Sequence, residues 1–139
     1  MKIIRIISAL FFLFIIYVIV AADNGSLPQL FYRIYYFPNG DKLGHFILYG
    51  ILAFLINCSF PERHIRIASI QTPVGSLFCM ALASIEEFSQ AFFPRRSASW
   101  ADLASGILGI LIFTAFSLLA INKFNRSKTK FFHNDRENL

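Results

Sequence analysis

Apolar residues in this chain recur neither at helical spacing nor at alternate positions. They come in four solid runs of about 18 to 22 residues, each long enough to cross a hydrocarbon layer of ~30 Å as a helix. The pattern predicts spans at 3–22, 43–60, about 70–93 and 102–122. The third tolerates Pro73 near its start and is ended by Pro94. Between the first two spans, Asn24-Gly25 and Pro38-Asn39-Gly40 are turn signals. They enclose LFYRIYYF, an aromatic stretch too short to cross and suited to lying in the membrane surface. PERHIRIAS and PRRSASW read as short connections. The expectation is an all-α, four-transmembrane-helix bundle. It forms one domain over residues 1–122 and is followed by a basic tail, 123–139.

Composition agrees with this pattern. Charged residues make up 15% of the chain, against about 25% in soluble domains, and 17 phenylalanines enrich it. The net charge of +5 does not indicate nucleic acid, because much of it follows the last apolar run and no aromatic-basic recognition module accompanies it. Basic residues flanking a span mark its cytoplasmic side. With the amino terminus inside, cytoplasmic segments hold Lys2, Arg5, Arg63, Arg66, Lys123, Arg126, Lys128, Lys130 and Arg136; outer loops hold Arg33, Lys42, Arg95 and Arg96. Both termini are therefore expected in the cytoplasm. A rival reading makes the first run a cleaved signal peptide, with Val20-Ala21-Ala22 as a weak cleavage site. Cys58 and Cys79 fall inside spans without metal or disulfide spacing and read as free thiols.

In that topology three polar clusters meet at the outer face. Asp41, Lys42, His45 and Tyr49 share an arc of the second helix, Glu86, Glu87 and Gln90 one of the third, and Asp102, Ser105, Gly106 and Gly109 one of the fourth. An ionised acid below the surface costs on the order of 2 to 3 kcal/mol or more, so Glu86 and Glu87 need partners, water or protons. Arg95 and Arg96 are the natural counter-charges, since a guanidinium grips a carboxylate or phosphate through two parallel bonds. Ser99 and Asp102 have capping-box spacing. A purely structural network would pair Glu87 and Asp102 with Lys42, Arg95 or Arg96, and bond His45 to Gln90. Small residues at 106 and 109 would let the helices approach.

The stretches DKLGHFILYGIL and EEFSQAFFPRRSASWAD, with Gly109 beyond them, resemble the VanZ-like family of bacterial membrane proteins over about residues 40–112. Asp41, Lys42, His45, Tyr49, Glu87, Gln90, Arg96 and Asp102 occupy that family's pattern positions. Arg95 stands where glycine is common, and Gly106 where Asn or Asp is usual. The resemblance implies a multi-pass protein of the bacterial cytoplasmic membrane acting near its wall side, in a family associated with teicoplanin resistance. It supplies no reaction.

Two functional readings follow. In the first, an outer-leaflet cleft binds an anionic lipid headgroup, either a lipid-linked wall precursor or an anionic phospholipid. Asp41, Lys42, Gln90 and Asp102 line it, Arg95 and Arg96 hold the anion, and LFYRIYYF covers the acyl-chain entrance. In the second, His45 and Glu87 act as base and orienting acid, with Tyr49 as a proton donor, on a lipid-linked phosphate. No nucleophile elbow, zinc-protease motif or Walker loop supports the enzyme. A metal set of His45, Glu87 and Asp102 lacks diagnostic spacing, so no metal or cofactor is expected. A transporter is disfavoured by the small number of spans and the lack of a midplane polar residue.

Overall fold

The protein is described by a computed structural model. Its backbone is described for residues 2–29, 31, 33, 37–93 and 96–137, and its side chains for those up to residue 127. The structure is mostly helical. Helix α1 spans Lys2–Asp23 and α2 spans Gly40–Ser59; strands β1 (His64–Ile67) and β2 (Ile70–Pro73) follow. Helix α3 is Val74–Ser89, continued by a 3-10 turn at Gln90–Phe92, and α4 runs from Trp100 to Glu137. Among the described residues, three helical stretches, Lys2–Asp23, Gly40–Ser59 and Trp100–Ser127, are long and apolar enough to cross a membrane, so the chain is a membrane protein.

The third apolar run departs from expectation at its start. Ile70–Pro73 is not helical; it pairs antiparallel with His64–Ile67, with Ile65 opposite Thr72 and Ile67 opposite Ile70. The β-branched residues Ile65, Ile67, Ile70 and Thr72 favour the pleated backbone. Pro73, with no N–H to give, closes the strand and leads into α3 at φ −60°. Val74 N–H returns to the Arg63 carbonyl at 3.0 Å. The connection read as a plain loop is thus a hairpin turning at Ala68, whose φ is 53°. The last run differs in the opposite way. Its apolar residues end near Asn122, but the helix continues through the basic tail, because no glycine or proline follows Gly109.

Helix α2 is central and packs on α1, α3 and α4, most extensively on α4. Tyr49, Leu52 and Ala53 of α2 form the core with Ile15, Cys79, Ala83, Leu103 and Ile110. A Cβ on Gly109 would lie 2.1 Å from the Phe46 carbonyl oxygen, so α2 and α4 touch backbone to backbone there. At Gly106 a Cβ would meet only ordinary contacts of 3.6 Å or more. Of the two small residues, Gly109 alone is required by the approach. Both cysteines are free, Cys79 in the core and Cys58 half-buried.

A buried polar network, unanticipated from the sequence, ties three helices together at the end that carries the hairpin. Asn57 Nδ2 donates to Ser76 Oγ at 2.9 Å and to Ser117 Oγ at 3.2 Å, and the hydroxyls of Ser76 and Thr114 lie 2.7 Å apart. Nearby, Arg5 donates to the Ser59 carbonyl at 3.2 Å, and the Ser8 and Ser59 hydroxyls bond at 2.7 Å, fastening α1 to α2. Asn57→Ala should lower stability by about 1 kcal/mol, the usual scale for an interhelical side-chain bond in a membrane. Thermal unfolding in detergent would read this. Ser76→Ala added to it should cost less than Ser76→Ala alone, since the Asn57–Ser76 bond is already gone and only the Ser76–Thr114 bond remains to be lost.

Candidate functional site

The opposite end of the bundle gathers a cluster of buried ionisable residues. Asp23 closes α1. Asn39, in the left-handed region at φ 61°, starts α2 and sets Asp41 and Lys42 in its first turn. Glu86 and Glu87 lie in the last turn of α3, the 3-10 turn carries Gln90 just beyond, and Arg96 follows before α4 opens with Asp102 in its first turn. Glu86, Glu87 and Asp102 are 5%, 3% and 6% exposed, so none of these acids is solvated by bulk water.

Glu86 is the hub. Its Oε1 accepts from Gln90 Nε2 at 2.6 Å and from Arg96 at 3.1 Å. Its Oε2 lies 3.6 Å from His45 Nδ1 and completes no hydrogen bond. The His45 and Tyr49 rings stack at 5.9 Å; the buried Tyr49 hydroxyl sits beside Glu86 without hydrogen-bond geometry. Arg96 also reaches Asp23 Oδ1, an ion pair at 3.7 Å that joins the end of α1 to the cluster.

Glu87 has a different role. Its Oε1 accepts the Ser99 backbone N–H, and Gln90 Nε2 stands 3.5 Å from its other oxygen. Ser99 Oγ in turn accepts the Asp102 N–H at 3.4 Å, and the Ser99 carbonyl accepts it at 3.0 Å. In a capping box the acid three residues on bonds back to the cap residue's N–H. Here Glu87, from another helix, takes that N–H, which releases the Asp102 carboxylate. Lys42 Nζ lies 3.1 Å from Asp102 Oδ1, outside hydrogen-bond alignment and therefore as an ion pair, and 3.0 Å from Asp41 Oδ2. Glu87→Ala should cost about 0.5 to 2 kcal/mol, the range for a lost helix cap. Amide hydrogen exchange at the start of α4 should rise in that variant.

The expected meeting of three clusters is therefore present, with several partners exchanged. Asp102 pairs with Lys42 as anticipated. Gln90 bonds Glu86 rather than His45, Glu87 bonds a backbone N–H rather than an arginine, and His45 faces Glu86. Arg95 and most of LFYRIYYF lie outside the described residues. Asp23, the last residue of the first apolar helix, joins the cluster through Arg96, and its place at the end of that apolar run is the signal the sequence offers. No family model, no curated protein and no solved structure matches this chain.

Beside the cluster, a cleft of about 110 Å³ opens between α1 and α2. Ile15, Val18 and Ile19 form its α1 wall, Gly44 and Leu48 its α2 wall, and Asp41, His45, Glu86 and Arg96 its polar end. A Cβ at Gly44 would meet nothing within 4 Å, so the space beside it is open. Among the described residues, the carboxylates of Asp23, Asp41, Glu86, Glu87 and Asp102 face only two permanent cations, Lys42 and Arg96.

Proposed function

We propose that this chain is a VanZ-like protein of the bacterial cytoplasmic membrane whose cleft, at the outer leaflet, binds a phosphate-bearing lipid. The acyl chain lies along Ile15, Val18 and Ile19, and the phosphate meets Arg96 at the polar end, which requires that protons or a bound cation neutralise the neighbouring carboxylates. An anionic phospholipid and a lipid-linked wall precursor are the two ligands this chemistry admits, and an influence on glycopeptide tolerance would follow from the second. The observation that carries the reading is the cleft itself, an apolar groove that ends on His45, Glu86 and Arg96. In this reading α3 is a fourth span: its helix and 3-10 turn together rise about 30 Å. Both termini then lie in the cytoplasm, as the distribution of basic residues favours.

Gly44 supplies the test, because it lines the cleft and a Cβ there meets no protein atom within 4 Å, so a large side chain starts from open space. Native mass spectrometry of gently extracted protein should show a bound phospholipid or precursor that is lost in Gly44→Phe. Equal lipid retention in a folded Gly44→Phe protein would refute the proposal. A second reading, an intramembrane hydrolase or transferase on a lipid-linked phosphate, draws on the His45–Glu86 contact, a base beside an orienting carboxylate. Turnover of labelled precursor that vanishes in His45→Ala would favour it over simple binding.

A further inference from the structure

We propose that His45, Glu87 and Asp102 hold a divalent first-row metal cation of the zinc or manganese type. These side chains come from α2, α3 and α4, and one ligating atom of each lies within 4.8 Å of the others. A cation with nitrogen and oxygen ligands at about 2.0–2.2 Å draws such atoms to roughly 3 to 3.6 Å apart, so a small closure of side chains already converging completes the shell. One imidazole with two carboxylates suits these ions better than calcium or magnesium, which favour oxygen alone.

Three further observations point to a cation. Among the described residues, five carboxylates face two permanent cations, a surplus of negative charge in a region where each unbalanced charge costs several kcal/mol, and a divalent ion offsets it. Glu86 Oε2 is buried, completes no hydrogen bond and stands 3.6 Å from His45 Nδ1. It is placed to take the N–H of an imidazole that ligates through its other nitrogen, the outer-shell arrangement common at histidine-bound metals. Asp102 Oδ1 also lacks a hydrogen bond, although Asp102 is nine-tenths buried, and Glu87 spends one oxygen on the Ser99 N–H while the other has only a long contact. Because His45 lines the cleft, the cation has a path to the site. This site rests on side-chain geometry and stands whether or not a lipid occupies the groove.

Isothermal titration of the purified full-length protein in detergent, carrying no histidine tag, with Zn²⁺ or Mn²⁺ alone should show one cation per chain. Affinity should fall by more than about tenfold in His45→Asn and in Asp102→Asn. It should be unchanged when the two other histidines are removed together, His64→Ala with His133→Ala. Lys42→Met, which withdraws the ammonium competing for Asp102, should bind the cation more tightly. In the unmutated protein, the spin-echo spectrum of bound Mn²⁺ should carry the modulation of one histidine nitrogen, a readout that needs no variant to fold. The proposal is overturned by any of four results: no stoichiometric binding, undiminished affinity in His45→Asn, loss of binding with His64 and His133, or a Mn²⁺ spectrum without nitrogen.

Discussion

Gly109→Ala should destabilise the protein, while the same change at Gly106, three residues earlier on the same helix, should be neutral or mildly stabilising. Intrinsic helix propensity favours alanine over glycine by about 1 kcal/mol at both positions. At Gly106 nothing opposes that gain, since the new methyl meets Tyr49, His45 and Ala83 at 3.6 to 4.0 Å. At Gly109 the methyl would stand 2.1 Å from the Phe46 carbonyl oxygen and 2.8 Å from its carbon. Neither is a side chain that can rotate away; they are α2 backbone. The helices must separate, and the core layer of Leu52, Ala53 and Ile110 opens with them. Overpacking of this kind costs about 1 to 3 kcal/mol, and the backbone obstacle puts the cost at the upper end. Unfolding midpoints of the two alanine variants in one detergent would rank them, and a Gly109→Ala protein as stable as the Gly106→Ala one would contradict the packing.

Arg96→Ala should be the most damaging change in the polar cluster. The guanidinium is 7% exposed and lies 3.1 Å from Glu86 and 3.7 Å from Asp23. Removing one member of a buried ion pair strands its partner's charge and costs about 3 to 5 kcal/mol, more than the pair itself contributes. The effect should reach α1, because Arg96 is what holds Asp23 to the cluster. The companion change Glu86→Gln removes the stranded charge, so the double variant should recover a large part of the loss. A double-mutant cycle on unfolding midpoints measures the coupling; strict additivity would mean that the two side chains do not depend on each other. Arg96→Ala is consequently a poor probe of ligand binding, and Gly44→Phe, which leaves every ion pair in place, is the better one.

The partners within the cluster illustrate where reasoning from the chain stops. Helical arcs correctly put His45 and Tyr49, or Glu86 and Gln90, on common faces, because a helix's angular repeat is a local property. Which acid meets which base depends on the relative rotation and depth of neighbouring helices, and no local rule supplies those. A shift of one position on α3 exchanges Glu86 for Glu87, and that is the difference between holding Arg96 and capping α4 through the Ser99 N–H. The start of α3 was obscure for another reason. Ile70 to Pro73, reading Ile-Gln-Thr-Pro, is too short and too mixed to fix the boundary of the run from the chain, and its pairing with His64–Ile67 makes it a strand.

Hydropathy and the placement of charge, read along the chain, were sufficient for a helical membrane protein with one cluster of acids and bases drawn from three helices, because water's exclusion from hydrocarbon acts on every residue independently of fold. Contacts between helices were needed for the rest: the backbone junction at Gly109, the Asn57 network, the recruitment of Asp23 by Arg96, and the convergence of His45, Glu87 and Asp102. These features depend on distances of a few ångströms between residues far apart in sequence, and those distances are set by how whole helices pack.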